Sequence, residues 1–463
     1  MHWITPQTKK DATVPSADRL LFSNNALKVL IIPLIIEQLL ATFVGVADGI
    51  MVAGVGEVAL SAVSLVDQLS IVILNLFVAF ATGGAVVSSQ FIGAQNKEKA
   101  RQSAGQLLLV VTVVSVLLLA VILLFNRNIL TLFFGSIEPE VMTNSVVYFI
   151  ITAVSYPFMA MVSAVNALFR SMGNSKVTMK TSLLMNVINV GGNALLIYGF
   201  KLGVAGAAYA TLLARAVACI VSLVLLSRSQ GDIYISRHTN WRPDFSIIGK
   251  IFKIGIPNGL ENTVFHLGRV LVLGVVSVFG TTQIAANATA STLSTFTTVP
   301  GHAIGLAIIT VVGQCVGAQD LAQSKYYMKK MLKMAYLLHC IVSLLLVLLL
   351  FPILKLYQLT PATELLTFRL VLIHALCGIF LWPMSFTIPN MLRATNDATF
   401  TMAASMFSMI VFRIGGSYIL GLWLGYGAIG VWFAMVLDWI CRSSFFVWRI
   451  LKGHWIKKAF KTT

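Results

Sequence analysis

Long apolar runs recur along the whole of this 463-residue sequence and constrain its fold more than any other feature. Each run is close to the roughly 20 residues that an α-helix needs to cross the hydrocarbon core of a bilayer. The short alternating segments that are typical of a membrane β-barrel are missing. We therefore predict an all-α integral membrane protein with twelve transmembrane helices. The predicted spans are 26–53, 59–88, 104–125, 140–168, 177–199, 203–227, 250–278, 284–312, 333–356, 366–392, 398–420 and 428–447.

The composition supports a lipid environment. Hydrophobic residues make up 58% of the chain and charged residues only 11%, whereas soluble domains carry about 25% charged residues. The mean hydropathy of +0.88 is too high for a water-facing surface on a chain of this size. The five cysteines fall in apolar spans, where they act as small hydrophobic residues, so we predict no disulfide. No Cys/His group has metal-ligand spacing, and no cofactor is expected.

The net charge of +17 reflects the basic loops. Of the 33 Lys and Arg residues, 26 fall in alternate loops and at the two ends of the chain. The loops on the other side hold only Arg127, Lys201, Lys355 and Arg369. The positive-inside rule then predicts that both termini lie in the cytoplasm, in a multi-pass protein of the cell inner membrane. This topology accounts for the basic excess, so we expect no nucleic-acid partner.

The chain resembles itself at a constant offset. The segment that begins at Pro33 recurs at Pro257, and the Gly-Ala-Gln at 93–95 recurs, by the same shift along the chain, at 317–319. Such an offset, kept over about 170 residues, indicates two copies of one six-helix unit. The predicted division is a cytoplasmic N-terminal segment at 1–24, an N-lobe at 25–227, a cytoplasmic linker at 228–249, a C-lobe at 250–447 and a basic cytoplasmic tail at 448–463.

An even number of spans in each copy means that both copies enter the membrane from the same side. They are therefore parallel repeats, related by an axis along the membrane normal. In transporters of this design the substrate site lies between the halves, and access alternates as the halves move. A duplicated receptor or scaffold that moves no solute is the alternative.

Three motifs carry a resemblance to a known family. They are P-x3-E-x10-D-G-I-M-V-A-G-V-G at 33–56, N-A-L-F-R-S-M-G-N at 166–174 and N-V-I-N-V-G-G-N at 186–193. Their order and spacing resemble MATE (multidrug and toxic compound extrusion) transporters of the multidrug/oligosaccharidyl-lipid/polysaccharide flippase superfamily. The resemblance implies a V-shaped pair of six-helix lobes that exports an amphipathic, cationic organic compound in exchange for H+ or Na+. The expected partners are this small-molecule substrate and membrane lipids, and we expect a monomer.

Acidic residues at bilayer depth are candidate coupling sites, because burying a charge at the centre of a helix costs about 2.5–3.5 kcal/mol. Asp48 lies in an otherwise apolar run and can exchange a proton as its hydration changes. Glu37 lies eleven residues earlier and shares its helical face. The resemblance implies that Asp48 lines a cavity of the N-lobe and takes part in cation coupling. A packing role for either carboxylate is the alternative.

Glu261 is the repeat equivalent of Glu37 and a third candidate for cation coupling. Arg269, two turns further on, is a candidate partner for Glu261 and a candidate substrate-cavity residue. In family members with a sodium-type C-lobe site, acids stand at the positions of Phe265 and Trp382. Neither position is acidic here, so the resemblance implies that this sodium site is absent or rebuilt around Glu261.

Amides complete the predicted cavity. Asn189 and Asn193 lie on one helical face and need polar partners inside the membrane, so we expect them to face inward, opposite Asp48. Asn166 and Asp67 are further candidate cavity residues. Hydrogen bonds between helices, with no role in transport, are the alternative for the amides. Asp438 and Arg413 lie on neighbouring predicted helices and are candidates for a structural ion pair.

Two rival functions remain beside antiport. A lipid-linked precursor flippase of the same superfamily would need several arginines in its cavity. Arg269 is the one candidate that the sequence offers beside three acids, and this balance favours a cationic substrate. An integral-membrane enzyme would need paired Asp-rich metal motifs, which are missing, so we predict that the chain is not an enzyme. The lack of a P-loop disfavours ATP-driven transport.

Overall fold

The computed structural model describes residues 20–135, 137–236, 239 and 241–460, without the side chain of Val46. Five of the basic residues used for the topology prediction, Lys9, Lys10, Arg19, Arg237 and Lys461, lie outside these ranges. Helices joined by loops make up the described residues, which contain no β-strand. Its α-helices are α1 (Asn24–Ala53), α2 (Glu57–Gly93), α3 (Lys97–Phe134), α4 (Pro139–Val154), α5 (Tyr156–Ser171), α6 (Ser175–Asn193), α7 (Gly203–Ser227), α8 (Phe245–Ser277), α9 (Thr281–Gly317), α10 (Leu321–Leu356), α11 (Pro361–Ala394), α12 (Ala398–Ser408), α13 (Gly427–Leu451) and α14 (His454–Ala459).

Three π-helical segments extend these helices: Ala194–Gly199 follows α6, and Met409–Gly415 and Ser417–Trp423 follow α12. In the described residues, eleven helical stretches are long and apolar enough to cross a membrane. Helices α4 and α5 meet at Ser155 with a bend of 43°. If this pair is counted as one span, the number of candidate spans rises to twelve. The predicted all-α membrane fold is confirmed, and one of its spans is broken.

Local structure repeats with the sequence. Both Gly-Ala-Gln turns place their glutamine in the left-handed region, with φ of 57° at Gln95 and 55° at Gln319. The next residue caps the following helix in both copies. The side chain of Asn96 accepts from the Lys99 backbone at 3.0 Å, and that of Asp320 accepts from the Gln323 backbone at 2.8 Å. The repeat in the sequence therefore relates equivalent local structures.

Two equivalent glycines allow a close approach of helices. A Cβ at Gly206 would lie 2.9 Å from the Leu196 carbonyl oxygen, and a Cβ at Gly430 would lie 2.5 Å from that of Leu420. Both carbonyls belong to π-helical segments, at Ala194–Gly199 and Ser417–Trp423. Helices α7 and α13 thus pack directly on the irregular ends of the preceding spans.

The described chain divides into two compact units. The N-terminal unit is Ala26–Gly259; the C-terminal unit runs from Leu260 and includes the described residues up to Asn25. Two contacts explain these limits. A Cβ at Gly83 would lie 2.5 Å from the Ile251 carbonyl oxygen, so the start of α8 packs on α2. The Phe22 backbone N–H donates to Tyr327 Oη at 2.9 Å, which ties the chain before α1 to α10.

Candidate functional site

Asp48 lies at the centre of a polar cluster in the N-terminal unit. It is half-buried on α1, opposite α6. Asn193 Nδ2 donates to Asp48 Oδ1 at 2.9 Å. One orientation of the Asn189 amide satisfies both its ends: its nitrogen donates to the two Asp48 oxygens at 2.8 and 3.0 Å, and its oxygen accepts from Thr211 Oγ1 at 3.1 Å. The structure therefore brings together Asp48 and the two amides that the sequence singled out.

A second carboxylate and an arginine lie near this cluster. Asp67 on α2 accepts from Tyr148 Oη at 3.3 Å. Arg215 on α7 donates from Nη1 to Ser155 Oγ at 2.7 Å, at the break between α4 and α5. Arg215 interacts electrostatically with both Asp48 and Asp67. Two carboxylates face one guanidinium, so the cluster is neutral when one carboxylate carries a proton.

Arg215 is the charged residue of this cluster that was not predicted as a site residue. A single arginine in the apolar run of α7 was the available signal, since an ionisable residue at bilayer depth is a functional candidate. The contact of Arg215 with the broken span was not predicted, because the break at Ser155 was not predicted. Pro157, two residues after the break, was the available signal for that break.

Glu37 faces the same helix as Asp48 but has its own partners. Thr178 Oγ1 donates to Glu37 Oε2 at 2.7 Å, and Arg170 Nη1 lies 3.7 Å from Oε1. Glu37 and Asp48 are separated by eleven residues, as are Thr178 and Asn189, so α1 and α6 run in register. Eleven residues of helix rise by about 16 Å, which separates the two carboxylates.

Asn166 is buried on α5. Its amide oxygen has no hydrogen-bond partner among the residues that the structure describes. The structure therefore does not join Asn166 to the amides of α6.

In the C-terminal unit, Glu261 is buried and paired. Arg393 Nη2 donates to Glu261 Oε2 at 2.7 Å, and Ser405 Oγ donates to Oε1 at 2.8 Å. The suggested pairing of Glu261 with Arg269 was wrong: the arginine comes from the end of α11, and Arg269 is exposed on α8. Arg393 directly follows the predicted span 366–392, and a charged residue at the end of an apolar run can turn either inward or to water.

The repeat does not reproduce the acidic cluster. At the offset between the two copies, Val272 stands for Asp48 and Arg413 for Asn189. Trp382 is buried in an aromatic stack, with ring centroids 4.9 Å from Phe386. Phe265 packs edge-on against Phe386 at 6.0 Å. The described structure thus places aromatic rings where a sodium-type site would have acids.

Asp438 is fully buried between two arginines. Arg442 Nη2 lies 3.4 Å from Asp438 Oδ1, and Arg413 Nη1 lies 4.0 Å from Oδ2. Ser408 Oγ also bonds to the Asp438 carboxylate. The suggested ion pair of Asp438 with Arg413 is present as a long contact, and Arg442, which lies within the predicted span 428–447, forms the shorter one. The acidic balance that favoured a cationic substrate therefore does not hold in the C-terminal unit.

Sequence comparison assigns both halves to one family model. The model, described as MatE, matches residues 33–195 and again residues 257–419, two ranges related by the offset of the internal repeat. The uncharacterized transporter YisQ of Bacillus subtilis is 25% identical over 434 residues, which cover 92% of this chain and 94% of that protein. The probable multidrug resistance protein NorM of Thermotoga maritima is 24% identical over 438 residues, 94% of this chain and 93% of its own length.

Solved structures share the fold. A multidrug resistance MATE family transporter of the MOP superfamily, in an outward-facing conformation, matches with a TM-score of 0.87 at 21% identity, over 94% of this chain and 96% of that one. A MOP superfamily transporter from Pyrococcus furiosus matches with a TM-score of 0.86 at 21% identity, over 95% and 96% of the two chains. At this identity the likeness concerns the fold.

Proposed function

This chain belongs to the MatE family, whose members are transporters and not enzymes, and on that premise we propose that it exports amphipathic, cationic organic compounds in exchange for H+. Asp48 carries the exchanged proton. The observation that supports this role is the hydrogen bonding of Asp48 to Asn189 and Asn193, in a cluster that one proton makes neutral.

The amides suit a carboxylate that changes its protonation state. When Asp48 is ionised, Asn189 and Asn193 donate to it. The oxygen of the Asn193 amide has no hydrogen-bond partner within the described chain. Rotation of that amide by half a turn would present its oxygen to a protonated Asp48, which could then donate. Asp48 is therefore hydrogen-bonded in both of its protonation states.

The same geometry favours H+ over Na+. A bound metal cation needs several oxygen ligands, whereas the groups nearest Asp48 direct amide nitrogens at it, and Arg215 adds a positive charge. The equivalent position in the C-terminal unit is Val272, which offers no ligand. Glu37 and Glu261 are engaged with arginines, and we assign them a structural role secondary to that of Asp48.

The location of the chain forms part of the proposal. The uneven distribution of Lys and Arg between alternate loops supports insertion in the cell inner membrane with both termini in the cytoplasm. The chain works as a monomer and needs no cofactor other than its coupling ion.

Proton release on substrate binding tests the coupling role. Tetraphenylphosphonium, a cationic amphiphile, is added to the purified protein in weak buffer with a pH-sensitive dye. The wild-type protein should release up to one H+ for each bound cation, and Asp48→Asn should release none. Glu140→Gln, a change at an exposed carboxylate at the start of α4, is the control. Equal proton release from the wild type and Asp48→Asn would refute the assignment.

A further inference from the structure

Two arginines of the C-terminal unit share a single buried carboxylate, and a third arginine lies on the neighbouring helix α8. Arg442 and Arg413 share the buried Asp438, at 3.4 and 4.0 Å. The longer contact exceeds hydrogen-bond distance. The Nε groups of both arginines have no hydrogen-bond partner among the described residues. Donors of both guanidinium groups therefore remain unused after Asp438 has been satisfied.

Arg269 on α8 belongs to the same group. A Cβ at Gly268 would lie 2.3 Å from Met409 Cε, so α8 packs directly on the π-helical segment that carries Arg413. Phe265 lies one turn before Arg269, and its ring centroid is 5.4 Å from the Arg442 guanidinium. Arg413 interacts electrostatically with both Arg269 and Arg442.

The charges of this group do not balance. Arg413 and Arg442 share Asp438, which leaves one buried positive charge in excess, and the exposed Arg269 adds a further positive charge that interacts with Arg413. The adjacent pair of Glu261 and Arg393 is neutral and does not reduce it. A purely structural ion network would match its charges, because an uncompensated buried charge is strongly destabilising. The excess indicates that negative charge is supplied from outside the chain.

Aromatic rings adjoin the arginines. The Arg442 guanidinium lies 4.9 Å from the centroid of Phe386, which stacks on Trp382. Arg413 lies in the π-helical segment Met409–Gly415, and π-helical turns inside α-helices are frequent at functional sites. Guanidinium groups beside an apolar aromatic surface suit a ligand that carries an anionic group on an apolar body.

We propose that Arg269, Arg413 and Arg442 form a binding site in the C-terminal unit for the phosphate or carboxylate group of an anionic or zwitterionic amphiphile. The proposal deepens the proposed function, because it extends the substrate class beyond simple cations. The binding itself requires neither Asp48 nor proton coupling. The group could belong to a soluble organic anion or to a lipid headgroup.

Binding to the purified full-length protein tests the site. The soluble probe is benzyl phosphate, measured by calorimetry, and the lipid probe is phosphatidic acid, measured as retention on protein purified from mixed micelles with phosphatidylcholine. We expect Arg269→Gln and Arg413→Gln to weaken binding of the phosphate probe by about tenfold each, which is typical of losing a hydrogen bond to a charged group. Arg369→Gln, at an exposed position on α11, is the matched control and should bind like the wild type.

The two probes separate the possible ligands. Arginine-dependent binding of benzyl phosphate supports a soluble anion, and arginine-dependent retention of phosphatidic acid alone supports a lipid headgroup. Failure of both probes to bind the wild type overturns the proposal, as does equal binding by the wild type and Arg269→Gln. Arg269 is exposed, so its replacement should not impair folding. Asp48→Asn should bind phosphate normally, so a failure of proton coupling and a failure of this site are distinguishable.

Discussion

Replacing Arg393 by leucine tests whether the Glu261 ion pair stabilises the C-terminal unit. Both side chains are more than 90% buried, and the contact between them is 2.7 Å. The variant leaves a buried carboxylate with Ser405 as its remaining hydrogen-bond donor. Breaking a buried pair in this way costs about 3–5 kcal/mol. For a unit of roughly 200 residues, this loss lowers the unfolding temperature on the order of 10 °C.

The assay is thermal unfolding of the purified protein in detergent, followed by circular dichroism. The double variant Glu261→Gln/Arg393→Leu removes both charges and should recover most of the lost stability. Arg369→Leu, an exposed change on the same helix, should unfold at the wild-type temperature. The reasoning is refuted if the single variant unfolds like the wild type, or if the double variant is no more stable than the single one.

Three further changes have defined outcomes. Gly430→Ala should destabilise the protein by about 1–3 kcal/mol, because the new Cβ would lie 2.5 Å from the Leu420 carbonyl oxygen. Gly274→Ala, where a Cβ would have no atom within 4 Å, should leave the unfolding temperature unchanged in the same assay. Tyr327→Phe should cost about 1 kcal/mol through loss of the bond from the Phe22 backbone, and hydrogen exchange at that amide should accelerate. Asn193→Leu should insert normally in the membrane and slow proton-driven efflux about tenfold, because Asp48 loses a hydrogen bond that contributes roughly 1.5 kcal/mol. Unchanged efflux would contradict the role of Asn193.

The spans were predictable because hydropathy is a local property of the sequence. The predicted first span at 26–53 and the helix Asn24–Ala53 differ by two residues. The predicted span at 140–168 instead became two helices that meet at Ser155. Hydropathy is blind to such a bend, since both helices are equally apolar. The π-helical segments were also unforeseen, because they depend on packing against α7 and α13.

The polar clusters were predictable only in part. Helical periodicity placed Asn189 and Asn193 on one face, and the structure puts both against Asp48. The partners of the arginines were not accessible to the same reasoning. Arg393 and Arg442 stand near the predicted ends of spans, where a shift of one turn decides whether a guanidinium meets water or a buried carboxylate. The sequence therefore did not reveal that Arg393 and Arg442 are paired with buried carboxylates.

Transport by the reconstituted protein tests the central claim most directly. Proteoliposomes with matched amounts of wild type or Asp48→Asn receive either a proton gradient or a sodium gradient at uniform pH, and accumulation of tetraphenylphosphonium is measured with the membrane potential clamped. We predict that the wild type accumulates the cation under the proton gradient and not under the sodium gradient, and that Asp48→Asn accumulates it under neither. Accumulation driven by sodium alone, or a near wild-type rate for Asp48→Asn under the proton gradient, would contradict proton coupling through Asp48.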